Sequence, residues 1–524
     1  MLRGEADVVD RATQRRVVVG VLALALLGMG PGPAQHVALA APELGPNPAS
    51  GESGSTVTVE GTGFPRDAKG RLVWPGGTVP EEFRTTRRGR FSAKFVVPNT
   101  VPMTYAVTAR AGGVVREATF EVTAAEADRP STGLAYYLDS DHGDDDNPGT
   151  SAAEAWRTLD KASQAPLAPG DRLLLKRGGN WTGSLKLSRS GTSDLPIVIG
   201  AYGRGNLPRI HDGSSCLVLS GAYLVLRKIH ADGCSWAGIE IVGTANRVEE
   251  SLITRNVAGI HVGPGATNNR ILRNELQDNN RMSVLTQSPT DDDSGAFGVL
   301  LQGDGTEVAY NTISGSNAFS YDYGHDGAAV EVYGGQRNHI HHNLAIDNVA
   351  FSEFGNARSA DNTFAYNVVR SSLTAAVFLV TRGAISGYGP VLRTTLYNNS
   401  VVLTGASSQG FVCDAGCGPD ILTMRNNIIQ AVCKVGYADA PFDEDHNLYF
   451  GGAGQFAVGD HSLVRDPLFV DKASGDLRLR SSSPAIDRGV DVGYERDFDG
   501  EPVPASGEGD HPPVPDLGAY ERQP

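Results

Sequence analysis

One recurring pattern limits the folds open to this chain. Short apolar strands follow one another as "AGIEIVG" (237–243), "AGIHVGP" (258–264), "FGVLLQG" (297–303), "AAVEVYG" (328–334), "AFSEFGN" (350–356) and "TAAVFLV" (374–380). Second strands ending near asparagine lie between and after them: "RILRNEL", "EVAYNTI", "HIHHNLA", "TFAYNVV", "TLYNNSV" and "TMRNNII". Asparagine tolerates left-handed backbone angles and bonds its own backbone, so it suits a corner repeated in every turn. The period runs from about 21 to 32 residues, with two longer intervals. Such gaps are awkward in a sandwich and natural in a solenoid whose corners accept insertions. The pattern predicts an all-β, right-handed parallel β-helix. The 64 glycines fit its many short strands and tight turns.

The flanks of the repeat carry a resemblance. "YYLDSDHGDDDNPGTSAAEAWRTLDKA", with "APGDRLLLKRGGNW" after it, looks like the N-terminal cap of secreted β-helix proteins. "DPLFVDKASGDLRLRSSSPAIDRG", "DFDG" and "LGAYE" look like their C-terminal segment. Residues 134–524 thus resemble the pectate-lyase-like superfamily, with a cap over 134–180 and a closing segment over 466–524. That superfamily holds lyases, hydrolases, epimerases and structural proteins, so function has to be read from the site.

Ahead of the repeat, residues 41–125 alternate polar and apolar in "GSTVTVEGTGFP", "GRFSAKFVVP", "TYAVTAR" and "EATFEVTA". This predicts a small β-sandwich. Through Gly61-Thr62-Gly63-Phe64-Pro65 it resembles immunoglobulin-like modules of the IPT/TIG type. Residues 126–133 read as a linker. Residues 1–40 read as an export signal. Arg15-Arg16 precede an apolar run from Val17 to Leu27, and Ala38-Leu39-Ala40 offers a cleavage site. The twin arginine hints at Tat export, although Gln14 stands where Ser or Thr is usual. These features predict a secreted protein with no membrane insertion after signal removal. A monomer is expected. Five cysteines suit an oxidising compartment. Cys216 with Cys234 forms one group, and Cys413, Cys417 and Cys433 form another. The net charge of −15 argues against nucleic acid and anionic membranes as partners.

Stacking the repeats picks out candidate chemistry. Alternate residues of a strand point to opposite sides, so Ile239 and Ile241 face the core and Glu240 faces out. The same outward column is expected to hold His261, Leu300, Glu331, Glu353 and Phe378. Glu331 and Glu353 are 22 residues apart, one turn. Neighbouring carboxylates repel, so one should keep its proton to higher pH. A split pair of that kind supplies an acid and a nucleophile or base. Two insertions, "NNRMSVLTQSPTDDDSGA" and "GSNAFSYDYGHDG", precede strands of this face and are expected to wall a cleft. Asp326, at the corner, is the first choice for nucleophile or base, with Glu331 next. Glu353, flanked by Phe351 and Phe354, is the expected general acid. Tyr321, Asp322, Tyr323, His325, His261 and Arg382 are candidate substrate contacts, since aromatic faces stack on sugar rings while polar groups bind hydroxyls.

The remaining polar clusters are read more plainly. His339, His341 and His342 have no carboxylate of matching spacing on their strand and are read as a structural stack. Asp139, Asp141, Asp144, Asp145 and Asp146 are read as a cap loop, lacking the full EF-hand pattern. Asp291, Asp292 and Asp293 form an oxygen-rich cluster that calcium would suit.

A lyase needs a base together with Arg, Lys or calcium to neutralise a uronate. Lysine is scarce in the repeats, and Arg227, Lys228 and Arg382 lie at the margins of an acidic cleft. The expected activity is therefore hydrolysis of a polysaccharide or oligosaccharide by paired carboxylates, without a required cofactor. A calcium-dependent lyase or epimerase using His325 or Arg382 is the alternative, and a non-enzymatic glycan-binding solenoid the third. Because residues 41–125 carry no acid–base cluster, deleting them is expected to leave turnover of a soluble oligosaccharide nearly unchanged. Loss of turnover in a truncated protein that still folds would place the site there instead.

Overall fold

The computed structural model describes residues 43–47, 49–52, 56–73, 81–97, 104–123, 133–287, 292–504 and 514–522. The expected export signal lies outside the described residues, as do Asp291 and all but Gly133 of the expected linker. Among the described residues no helix is long and apolar enough to cross a membrane.

Near the N-terminus, a three-stranded and a five-stranded sheet share one core. Val57, Val59, Leu72, Val107 and Phe120 fill it from alternate strand positions, with Phe64, Phe83 and Phe91 packed against one another. From Ala135 onward the chain forms a parallel β-helix. One twelve-stranded parallel sheet makes its first face. A nineteen-stranded sheet bends to make the other two. Each turn therefore contributes three strands, where the sequence reading saw two. The segment "RILRNEL" spans the strand Arg270–Leu272 and runs into the strand Glu275–Gln277, with a corner between them. These strands are only three residues long. The bend falls at Arg273-Asn274 with only three residues of strand on each side, too few for a period to separate them.

The corners explain the asparagines. Asn274 N–H donates to Asn311 Oδ1 at 2.8 Å, Asn311 N–H to Asn343 at 3.0 Å, and Asn343 N–H to Asn367 at 3.0 Å. The series continues through Asn399, Asn427 and Asn447. Each side-chain amide also donates to backbone, as from Asn343 Nδ2 to Val308 O. Shorter ladders run through Asn338 and Asn362 and through Asn256 and Asn279 at the other two corners. In most turns the left-handed residue is the one before the asparagine: Arg273, Tyr310, His342 and Tyr366. The asparagine itself is a rung, fully buried with its polar atoms satisfied.

Inside, one column of apolar residues passes through Leu217, Ile239, Ile260, Val299 and Val330. Trp156 and Trp181 join this core at the N-terminal end, beside the short helix Leu159–Ser163. A separate cluster joins Phe469, Leu477 and Leu517 to Val368, Val402 and Ile428, so the closing segment covers one face from outside. Disulfides link Cys216 to Cys234 and Cys413 to Cys417, leaving Cys433 free and exposed.

Asn343 sits in the middle of the longest ladder, so Asn343→Ala orphans the buried Asn311 N–H. The expected cost is about 1–3 kcal/mol, read as a lower midpoint of thermal or urea unfolding. An unchanged midpoint would contradict a structural role for the rungs.

Candidate active site

Six strands of one face carry the candidate residues. They are β1 (Ala237–Ile241), β2 (Ala258–Val262), β3 (Phe297–Leu301), β4 (Ala328–Tyr333), β5 (Ala350–Gly355) and β6 (Val377–Arg382). Their register aligns Glu240, His261, Leu300, Glu331 and Glu353 in one column. The next member is Val380, two residues beyond the expected Phe378, whose ring is buried in the core. Val330 and Val332 point inward, so Glu331 points out, and its partner Glu353 does the same one strand away.

Asp326 reaches this pair from a hairpin. Ala318–Ser320 pairs with Gly324–Asp326, and the chain enters β4 two residues after Asp326. The hairpin is tied to the preceding insertion by two aspartates. Asp293 Oδ2 accepts from Ser320 Oγ at 2.9 Å and from Tyr321 N at 2.7 Å. In return, Asp322 Oδ2 accepts from Asp292 N at 2.9 Å and Asp293 N at 3.1 Å. Asp322 and Asp293 are thus fasteners between the two loops. Tyr321 and Tyr323 stand exposed on the hairpin, with Phe319 edge-on to Tyr321 at 4.9 Å. His325 is exposed and its Nδ1 pairs with Asn317 at 2.7 Å.

The three carboxyls sit in different surroundings. Arg382 Nη2 binds Glu353 Oε1 at 2.5 Å, and its Nη1 donates to Phe354 O. The guanidinium also lies over the ring of Tyr388 at 5.8 Å. Burial and then the charge of Glu353 push Asp326 up to about 7, against the hydrogen bond from Gly327 N. Burial, Glu353 and Asp326 together push Glu331 well above the usual carboxylate range, opposed by Arg382. The aromatic flank expected for Glu353 is absent. Phe351 and Phe354 are fully buried on the inner side of β5, and what meets Glu353 is the arginine.

His261 stands apart from this group. Leu300 separates it from Glu331 in the column. Its ring is buried, accepting at Nδ1 from Trp236 Nε1 at 3.3 Å and paired through Nε2 with Gln302 Oε1 at 2.9 Å. Glu240, farther along, is bound by Ser215 Oγ at 2.7 Å.

His339, His341 and His342 are held by partners on other turns and on the closing segment. His339 and His341 stack at 4.1 Å, His341 pairs with Glu307 at 3.2 Å, and His339 meets Tyr494 Oη at 2.6 Å. The carboxylate partner missing from their own strand is supplied by Glu307 on the turn before. Burial keeps His339 well below its ordinary value and brings His342 down to about 3.

Among the described residues, three groups bring metal-type ligand atoms within 4.8 Å: Asp292, Asp293 and Asp322; Asp139, Asp141 and His142; Asp445, His446 and His461. In the first two, carboxylates are engaged by other residues, and in the third the three residues pair with one another. Asp293 and Asp322 fasten the loops. Asp139 pairs with Lys176 at 2.5 Å. Asp445 Oδ2 takes His461 Nδ1 at 2.8 Å and His446 Nδ1 at 3.2 Å.

Two residues beside the acids escaped the sequence reading. Tyr333 follows Glu331 by two positions and so faces the same side, exposed. Tyr388 follows β6 and covers Arg382. The alternation Glu331, Val332, Tyr333 was the available signal for the first. For the second there was none, because a loop has no period.

No family model matches the chain. A segment of 77 residues is 40% identical to a lacto-N-biosidase of Bifidobacterium longum subsp. longum, and spans 14% of this chain and 5% of that protein. Among solved structures, an alginate lyase from Paenibacillus sp. str. FPU-7 is 15% identical, covering 59% of this chain and 97% of its own, with a TM-score of 0.41. A GH136 lacto-N-biosidase from Eubacterium ramulus is 16% identical over 64% and 67%, with a TM-score of 0.36. The catalytic domain of a GH87 alpha-1,3-glucanase in complex with nigerose is 12% identical over 79% and 90%, with a TM-score of 0.32.

A group whose folded value is raised supports the fold below its unfolded value and loses that support as pH rises through the folded one. For Asp326 that window runs from about 4 to about 7. Asp326→Asn should therefore gain melting temperature relative to the parent between pH 4 and pH 8. A difference that stays flat across this range would remove the raised carboxyl.

Proposed function

We propose that the chain is a carbohydrate-active enzyme that hydrolyses glycosidic bonds in a neutral glycan, with Asp326, Glu331 and Glu353 as its centre. One observation carries the reading. Three carboxyls meet on an outward face, and a single arginine engages one of them. Environments that drive neighbouring carboxyls apart separate an acid from a base.

The assignment follows the charges. Glu353, ion-paired with Arg382, acts as nucleophile or as base for water. Asp326, pushed up to about 7, is the general acid, poised to protonate a leaving oxygen near neutral pH. This reverses the roles that the sequence suggests, because the arginine outweighs the two phenylalanines that turn inward. Glu331, pushed well above the usual carboxylate range by burial and its acidic neighbours, contributes hydrogen bonding to the sugar. The exposed rings of Tyr321 and Tyr323 suit sugar stacking.

Arg382 also weighs against the lyase alternative. Its guanidinium is engaged by Glu353 and Phe354 O, so it is not a ready partner for a uronate carboxylate. Of the cluster expected to suit calcium, Asp293 has its Oδ2 engaged by Ser320 and Tyr321 of the hairpin. Export to the extracellular space, the IPT/TIG character of the N-terminal sandwich and a monomeric state belong to the same proposal. They are tested separately by fractionation, by structure of the isolated module and by light scattering.

The direct test is product analysis on a panel of plant and microbial glycans. Hydrolysis yields reducing sugar without an unsaturated, ultraviolet-absorbing product. Asp326→Asn and Glu353→Gln should each lower kcat at least a hundredfold with folding retained, and Glu331→Gln should cost less. Near-normal turnover in both folded variants would rule out the assignment. Unsaturated products, together with loss of activity on chelation, would favour the lyase.

A further inference from the structure

The glycine at the end of β5 has no reason in its own backbone. Gly355 is the last residue of the strand, still in register with β4, and glycine in a strand often marks the close approach of another group. It is not among the residues with positive φ. What occupies the space is a ring. A Cβ at Gly355 would lie 2.8 Å from both Cδ2 and Cε2 of Tyr333, its register partner on β4. Tyr333 therefore lies down across the neighbouring strand and buries Gly355, while 38% of its own surface stays open.

The backbone around the pair is fixed. Ser359 Oγ accepts from Gly334 N at 2.8 Å and donates to Gly355 O at 2.8 Å, joining the two strand ends. Arg358 adds a bond to Gly334 O. The strand ends that carry the ring are thus joined before any ligand arrives, and the ring packs on Gly355, which cuts the ordering cost of binding. It lies two positions from Glu331 on β4, and Gly355 beneath it is two positions from Glu353 on β5.

From this geometry we infer that Tyr333 is the floor of a sugar subsite beside the carboxyl cluster, a platform for a neutral hexopyranose whose ring presents axial C–H bonds on one face. The inference rests on the glycoside hydrolase reading above and adds its substrate class. A flat aromatic face favours such a sugar through dispersion and C–H contact. A uronate carboxylate at the same place would have to compete with Glu353 for Arg382 and with Asp304 for Arg358, the two arginines alongside.

The test uses the full chain. Turnover is measured on neutral gluco-, galacto- and N-acetylhexosamine oligosaccharides, with an alginate oligosaccharide as the anionic comparison. For the best neutral substrate, Tyr333→Ala should raise KM about tenfold with kcat within a few-fold, the signature of lost uniform binding. Tyr333→Phe should keep the parental KM, because the ring and not the hydroxyl makes the contact. Gly355→Ala should raise KM by lifting the ring while Tyr333 itself is retained. An unchanged KM in Tyr333→Ala overturns the platform and leaves the hydrolase reading standing. Equal loss in Tyr333→Phe and Tyr333→Ala overturns stacking as the contact. Failure of the intact chain to turn over any neutral oligosaccharide, or turnover of the alginate oligosaccharide alone, overturns the hydrolase reading and the platform with it.

Discussion

Stacking of one turn on the next is the constraint from which the remaining features follow. Parallel strands about 4.8 Å apart place residue over residue, and the buried asparagines hold that register at three corners. Each rung satisfies a backbone N–H of the turn before it, so a slip of one residue would orphan a buried donor at every corner. A slip would also turn each outward side chain into the core. The positions of Glu331 and Glu353 are thus fixed by hydrogen bonds remote from them.

That fixed register makes two like charges neighbours. At one strand spacing and an effective dielectric near 20, two carboxylates repel by about 3–4 kcal/mol. This exceeds the 1.36 kcal/mol that corresponds to one pKa unit, so the pair cannot keep both charges at no cost. Arg382 resolves the conflict on one side by binding Glu353. On the other side the repulsion and burial raise the proton affinity of Glu331 and of Asp326, which the hairpin brings in. The loops are fastened to each other through Asp293 and Asp322, which limits the freedom of Asp326. The fold therefore imposes the repulsion, and the arginine and the raised carboxyls accommodate it.

The sequence was most informative where a period of two and a fixed repeat acted together. The outward column from Glu240 to Glu353 was legible because every member lies in a strand aligned by the same apolar neighbours. The alignment failed at β6, where Val380 replaces Phe378, because "TAAVFLV" is apolar throughout and offers no alternation to count. The three-strand turn was hidden by strands only three residues long. Non-local partners were the least visible. Glu307 for His341 and Arg382 for Glu353 come from neighbouring turns, and Trp236 with Gln302 encloses His261 from either side of it. Aromatic neighbours in sequence suggested a protonated Glu353. Both rings instead pack in the core, and the arginine that meets Glu353 in their place shifts the acid role to Asp326.

The account stands or falls on where that proton resides. Protein labelled with carboxyl-13C aspartate can be titrated by NMR alongside Asp326→Asn, so that the difference isolates the Asp326 signal. A midpoint near 7, moving higher in Arg382→Ala as Glu353 loses its counter-charge, is the predicted result. A midpoint in the ordinary aspartate range near 4, insensitive to Arg382, would contradict it.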